Sequence, residues 1–349
     1  MLRGGIIGFG RMGATHYALL NTHPTVRLTA VCDASGFTLK NLRRFANVHT
    51  YGNANEMLDR EALDFVIVCT PTASHAALVE AAIARHIHIF VEKPLALGEP
   101  VAQHLVALVS ATTLVNQVGY FLRFNELVAL AREYIERGYL GDLVHYKNAM
   151  YGRTVLHRTS GGWRAKKTEG GGCMLDFASH AIDLGHFLFG PTTHVAGTDL
   201  RSVYSDGVDD AVYTTLSHGG HISGTLDVNW SDESYRRPYN RVEVFGTNGR
   251  LIVDRQECRL YLRRPPRGAG LRAGWNLQYL PQVARPVRFD IRGTEFTAQL
   301  DHFITCIEDP TIAPVCPFSA AYETDRVIAL IEQDAAHREV QCGSADSGR

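Results

Sequence analysis

The 349-residue sequence predicts an α/β protein: a doubly wound parallel sheet, followed by an α+β domain with a mostly antiparallel sheet. Three observations predict it. Short apolar runs alternate with helical stretches through the first 120 residues. The run Phe65-Val66-Ile67-Val68 is apolar throughout, as in a strand covered on both faces. After about Phe121, period-2 alternation and tight-turn signals take over.

In order, strands are expected at Leu2–Ile7, Arg27–Cys32, Ala62–Thr70, Ile87–Val91 and Thr113–Tyr120. Helices fall between them at Met12–Leu20, Leu39–Ala46, Ser74–Arg85 and Pro100–Val109. A helix at Glu126–Glu136 is stopped by Gly138–Gly141. Strand-like runs follow at Val144–Tyr151, His194–Tyr204, Ala211–Ser217, His221–Trp230, Arg241–Gly246 and Arg250–Val253. His218-Gly219-Gly220 and Thr247-Asn248-Gly249 are the hairpin signals. Helices are expected at Asp176–Phe189, Glu295–Glu308 and Ala320–Ala336, and Arg263–Arg288, rich in Pro, Arg and Gly, reads as a surface loop. The expected domains are 1–120 and 121–340, with 341–349 a flexible tail.

Composition narrows the function classes. Hydrophobic residues make up 45% and charged residues 20%, which excludes a dominantly disordered chain. Lys+Arg numbers 35 against Asp+Glu 36, so no basic excess points to nucleic acid or an anionic membrane. No apolar run approaches the roughly 18 residues that a bilayer span requires. The cysteines are seven, an odd number, and none forms a CxxC pair, which argues against a disulfide framework or zinc knuckle. A glycine turn by position 8 leaves no room for a signal h-region. A soluble, cytoplasmic chain is expected, with a small-molecule substrate and neither a nucleic-acid nor a membrane partner.

Gly8-Phe9-Gly10-Arg11-Met12-Gly13 follows a strand and opens a helix. Glycines at this spacing allow a tight turn, close backbone approach to a pyrophosphate, and close helix–strand packing. Asp33 ends the second strand 20 residues beyond Gly13. An acid there accepts the ribose hydroxyls and repels a 2′-phosphate, favouring NAD over NADP. Arg11 and Arg43 leave a phosphate contact open. Thr70-Pro71 ends the next strand, and His75 lies near the start of the following helix, facing either the dinucleotide or solvent.

Glu92-Lys93-Pro94 also lies at a strand's carboxyl end, where ligands of open parallel sheets bind. A residue before proline has a restricted backbone, so the Lys93 ammonium has a better-defined direction than in an ordinary loop. A lone lysine is more commonly a surface residue. Downstream, Gly170-Gly171-Gly172 precedes Asp176, His180 and Asp183, spaced i, i+4, i+7 on one helix face. The glycines would leave room for a ring-shaped substrate. An Asp one turn from a His orients the imidazole and raises its basicity, which suits removal of a hydroxyl proton during hydride transfer. Three ligands on one helix rarely close a metal's coordination sphere, so no metal is expected. His186, on the same helix, reads as structural.

Together these residues resemble the glucose–fructose oxidoreductase, inositol dehydrogenase and rhizopine catabolism (Gfo/Idh/MocA) family. The resemblance runs along nearly the whole chain. It includes the glycine fingerprint, Thr70-Pro71 with His75, Glu92-Lys93-Pro94, and Gly119-Tyr120 leading to Arg123-Phe124. It continues through Gly170-Gly171-Gly172 with Asp176, His180 and Asp183, then Phe245-Gly246-Thr247-Asn248-Gly249. It implies a Rossmann domain and a C-terminal domain with an open-faced sheet that packs against another subunit, giving a homodimer or homotetramer. It implies NAD(P)-dependent hydride transfer between nicotinamide and a secondary alcohol of a sugar, cyclitol or sugar derivative. By resemblance Lys93 polarises the reacting oxygen, His180 accepts or donates the proton, and Asp176 orients His180. The implied cofactor contacts are Gly8, Phe9, Gly10, Arg11, Met12, Gly13, Asp33, Thr70, Pro71, His75, Glu92 and Lys93. The implied substrate contacts are Lys93, Tyr120, Arg123, Trp163, Arg164, Asp176 and His180. Two positions depart from the family pattern: Ala178 replaces a glycine between Asp176 and His180, and Arg85-His86 replaces Gly-Lys ahead of Ile87–Val91.

Tyr151–Glu169 concentrates Arg153, His157, Arg158, Arg164, Lys166 and Lys167, and Arg236 and Arg237 add to them. Such a cluster suits an anionic substrate such as a nucleotide sugar or uronic acid, or simply a loop of salt bridges. Trp163 and Trp230 suit either sugar stacking or core packing. Two further readings stay open: a nucleotide-sugar 3-dehydrogenase, and a non-catalytic dinucleotide-sensing regulator that intact Lys93, Asp176 and His180 argue against.

Overall fold

The computed structural model describes residues 1–158, 162–219, 222–287 and 290–346. Gly220 and His221 of the expected hairpin, and 347–349 of the expected tail, lie outside the described residues. The apolar runs of the first 120 residues form β1 (Leu2–Ile7), β2 (Val26–Cys32), β3 (His49–Tyr51), β4 (Phe65–Val68), β5 (His88–Val91) and β6 (Asn116–Val118). Between them lie α1 (Arg11–Leu20), α2 (Gly36–Phe45), α3 (Ala54–Arg60), α4 (His75–Ile83) and α5 (Glu99–Ser110). The later strands are β7 (Leu143–Tyr151), β8 (Thr192–Arg201), β9 (Ala211–His218), β10 (Ile222–Asn229), β11 (Tyr239–Gly246), β12 (Gly249–Asp254), β13 (Glu257–Leu262) and β14 (Gly274–Tyr279). The later helices are α6 (Glu126–Glu136), α7 (Ser179–Phe189), α8 (Leu280–Val283), α9 (Thr294–Glu308) and α10 (Phe318–Asp346).

The chain divides into two compact units, Met1–Phe121 with Val287–Asp325, and Leu122–Pro286 with the chain from Arg326 onward. In the first unit six parallel strands take the order β3-β2-β1-β4-β5-β6, the doubly wound arrangement expected from the alternation. The two faces of the sheet carry separate cores. Val66, Val68, Ile89 and Val91 join one buried cluster. Their neighbours Phe65, Ile67 and Phe90 join the other, with Phe296, Leu300, Phe303 and Ile304 of α9. Phe303 meets Phe65 and Phe90 edge-on, with centroids 5.9 and 5.8 Å apart. That two-sided cover explains why β4 is apolar at every position.

The second unit is built on eight strands ordered β14-β13-β12-β11-β7-β10-β9-β8, all paired antiparallel except β7 with β10. The expected loop 263–288 instead contains β14 and α8. β14 pairs with β13 through backbone hydrogen bonds, while its alternate residues Trp275, Leu277 and Tyr279 stay 40–45% exposed. Among the described residues no helix is long and apolar enough to cross a membrane.

Helix α7 is buried along almost its whole length and carries His186, whose Nε2 lies 2.9 Å from Thr192 Oγ1. Burial, with the neighbouring His218, Arg123 and Arg326, pushes the His186 ring down to about 3. Below pH 6.5 the unfolded chain takes up a proton that the folded ring refuses, so this stability is present above that pH and lost as pH falls. At pH 5 the refusal costs about 2 kcal/mol. The Tm of the wild type is therefore expected to fall more steeply from pH 6.5 to 4 than that of His186→Gln. Parallel slopes in a calorimetric pH series would refute this.

Candidate functional site

Residues expected at the cofactor end cluster where parallel strands end. Gly8 follows β1, Asp33 follows β2, Thr70-Pro71 follow β4, and Glu92-Lys93 follow β5. Gly8 has φ +89°, a backbone open to glycine. A Cβ on Gly13 would collide with the Gly8 carbonyl oxygen, so this strand–helix turn closes only without a side chain there. Beside Gly10 a Cβ would meet nothing within 4 Å. No side chain caps α1, and its first turn holds no acid. An open turn at an uncapped helix N-terminus fits a pyrophosphate.

Asp33 is fixed beside that turn. Its Oδ2 accepts from the Phe9 N–H at 2.6 Å and its Oδ1 from the Ser35 N–H at 2.7 Å. Phe9 meets Tyr17 edge-on at 5.4 Å. Arg11 lies exposed in the first turn of α1, and Met12 is partly buried.

His75 is buried rather than on the surface. Its Nδ1 faces Pro94 O and its Nε2 faces Thr70 O, each at 3.0 Å, so the ring links the β4 and β5 ends. Burial pushes it below the ordinary histidine range, against the pull of those carbonyls. Glu92 turns to α1: its Oε1 lies 2.6 Å from Nε2 of the fully buried His16. The Lys93–Pro94 peptide is cis. Tyr120 is fully buried within the first unit's core.

In the second unit Met174–Ala178 forms a π-helical turn that runs into α7. Asp176 lies within this turn, and His180 is the second residue of α7. The turn is anchored by Asp209, whose Oδ2 accepts from the Met174 N–H at 2.6 Å. Burial raises that carboxyl to about 6. His180 is 8% exposed at the start of α7, and Asn148 of β7 donates to the next carbonyl, Ala181 O, at 2.7 Å.

Asp176 pairs with Arg164, whose Nε donates to Oδ2 at 2.9 Å. The Arg164 guanidinium also lies 4.4 Å from the Trp163 ring centroid. The glycine run does not leave an empty space here: a Cβ on Gly171 would collide with the Arg164 and Trp163 carbonyls. The run admits the chain's own backbone, bringing the Trp163–Ala165 turn against the base of the π-helical turn.

Asp183, the third member of the expected helix face, pairs elsewhere. Arg123 Nε donates to both its oxygens at 3.0 Å, and Nη2 donates to Oδ1 at 2.7 Å. Both residues are buried. Trp230 is core: it is fully buried, its Nε1 donates to Asp210 Oδ1 at 2.7 Å, and it meets Phe177 edge-on. The basic loop finds acids within its own unit. Lys166 pairs with Glu169 at 2.8 Å and Lys167 with Glu332 at 3.0 Å, besides Arg164 with Asp176. Thr159–Gly161 of that loop lie outside the described residues.

Sequence reasoning missed His16, Asp209 and the task of Arg164. Only His16 left a signal, three residues past Gly13 on the helix that the glycine turn opens.

Residues 2–120 match the family model described as "Oxidoreductase family, NAD-binding Rossmann fold", and residues 128–252 match the "GFO/IDH/MocA C-terminal domain". The chain is 27% identical to a myo-inositol 2-dehydrogenase of Thermotoga maritima over 72% of its length and 75% of the relative's. It is 28% identical to the scyllo-inositol 2-dehydrogenase (NAD(+)) of Bacillus subtilis, over 72% of this chain and 73% of that one. Its fold is that of a levoglucosan dehydrogenase solved with NADH and levoglucosan: TM-score 0.86, 22% identity, covering 96% of this chain and 97% of that one. The chain belongs to the Gfo/Idh/MocA oxidoreductases, and its residues 2–120 are their NAD-binding Rossmann domain.

Proposed function

We propose that this oxidoreductase transfers hydride between NAD and a secondary alcohol carbon of a sugar or cyclitol. The observation that carries the reading is the placement of Lys93 at the end of β5, in the same parallel sheet whose β1 end carries the uncapped glycine turn. NAD, when bound, supplies the hydride acceptor. The Lys93 ammonium polarises the reacting oxygen and stabilises negative charge growing there. His180 takes the hydroxyl proton during oxidation and returns it during reduction. Asp176, held by Arg164, sets the charge beside the start of α7. Relatives named for inositols support a neutral polyol substrate. Pairing of Arg164, Lys166 and Lys167 with acids weakens the case for an anionic substrate.

The test is NADH appearance with the purified protein, NAD and a panel of neutral sugars, cyclitols, sugar acids and nucleotide sugars. Turnover of a neutral polyol is expected. Turnover confined to charged compounds, or silence across the panel while NAD binds, would sink the reading.

A further inference from the structure

A dinucleotide has two riboses, and each offers a pair of hydroxyls that a carboxylate accepts. The parallel sheet carries one acid at the end of β2 and another at the end of β5. In the strand order β3-β2-β1-β4-β5-β6 they lie on opposite sides of β1 and its glycine turn. Asp33, the first, is pinned by backbone amides. Glu92, the second, is pinned by a side chain: Nε2 of His16 lies 2.6 Å from Glu92 Oε1. An ionised carboxylate only accepts, so the imidazole is the donor. The His16 side chain is 0% exposed and that of Glu92 12%, so a wholly buried donor holds an acceptor that still reaches solvent.

The surroundings leave the pair little freedom. On α1 the His16 ring meets Phe90 of β5 edge-on, with centroids 5.3 Å apart. The Glu92 N–H donates to Val68 O of β4 at 2.9 Å, which holds the backbone beneath the carboxyl. Gly119, just past β6, donates its N–H to Val91 O at 2.9 Å. A Cβ there would crowd Glu92 Oε2 at 3.2 Å, so glycine gives the carboxyl its room.

We propose that His16 is a positioning residue for NAD: its Nε2 hydrogen bond sets the Glu92 carboxyl to accept a hydroxyl of the nicotinamide-side ribose, one residue from Lys93. The proposal rests on the reading of Glu92 as a cofactor contact. It makes α1 serve both halves of the cofactor, the pyrophosphate through its N-terminus and the nicotinamide half through a side chain further along.

The experiment measures NAD and ADP affinity by calorimetric titration for the wild type, His16→Leu, Glu92→Gln and the double variant. ADP carries the adenosine ribose and the diphosphate but lacks the other ribose, so it reports on Asp33 and the glycine turn alone. His16→Leu is expected to weaken NAD roughly 10-fold and to leave ADP within about twofold. Glu92→Gln should weaken NAD to a similar degree, and the double variant little further. His16→Gln places an amide donor at similar reach and should recover most of the lost affinity. Unchanged NAD affinity in His16→Leu beside a weakened Glu92→Gln, a parallel fall in ADP affinity, or multiplying losses in the double variant would each overturn the proposal. Should His16→Leu fail to fold, His16→Phe keeps a ring against Phe90 without the donor and carries the same titrations. Unchanged NAD affinity in Glu92→Gln would instead remove the reading of Glu92 as a cofactor contact, a result distinct from an inert His16.

Discussion

Lys93→Ala is expected to lower kcat by about 100-fold or more while NAD binds nearly as tightly as before, and His180→Ala is expected to do the same. The physical grounds differ for the two. An alanine at position 93 removes a positive charge from the carboxyl end of β5, where the proposed reaction develops charge on the substrate oxygen. The glycine turn and Asp33, which carry the dinucleotide contacts in this reading, are left in place. Lys93→Arg tests geometry: the charge stays, but a planar fork replaces a point charge, so recovery should be incomplete. His180→Ala removes the proposed proton acceptor, and added imidazole should restore part of its rate without restoring that of Lys93→Ala. Wild-type turnover in either alanine variant, measured by steady-state NADH formation, would refute the corresponding role.

Much of this was legible in the sequence because local patterns carried it. Phe65-Val66-Ile67-Val68 suits a strand covered on both faces, and the glycine fingerprint lay between a strand and a helix. What the sequence hid depends on distant partners. The tight-turn signal at 218–220 sets β9 before β10, but nothing local says that β7 pairs with β10 in parallel or that 287–325 returns to the first unit, because α9 reads as any amphipathic helix. β14 was masked by the Pro, Arg and Gly around it, although Trp275, Leu277 and Tyr279 keep strict alternation. At the candidate site the residue types were legible and their partners were not. His75 looked like a choice between cofactor and solvent, yet two backbone carbonyls occupy its ring. Gly170-Gly171-Gly172 looked like room for a ligand, yet the chain's own Trp163–Ala165 turn fills it. Spacing also assumed an ideal α-helix through Asp176, which lies in the π-helical turn.

The Asp183–Arg123 pair shows the consequence most sharply. Spacing groups Asp183 with His180, but its carboxylate is 1% exposed and receives three bonds from a guanidinium that is itself nearly buried. Burial, the larger influence, pushes the Asp183 carboxyl above the ordinary range, against the pull of the Arg123 charge. Asp183→Ala removes the principal charge partner of a guanidinium that cannot shed its proton. Leaving a charge buried in that way costs about 3–5 kcal/mol. For a unit of this size the loss corresponds to a fall in Tm of about 10 °C. Arg123→Met combined with Asp183→Leu removes both charges and should regain most of the loss, because a buried pair contributes little beyond a well-packed apolar replacement. The enzyme that remains folded in Asp183→Ala should turn over within a few-fold of wild type per folded molecule, since Asp183 supports α7 rather than the reacting atoms. A denaturant series giving less than about 1 kcal/mol for Asp183→Ala would show that the buried charge finds other compensation. A loss of kcat with stability intact would move Asp183 back beside His180 as a participant in the chemistry.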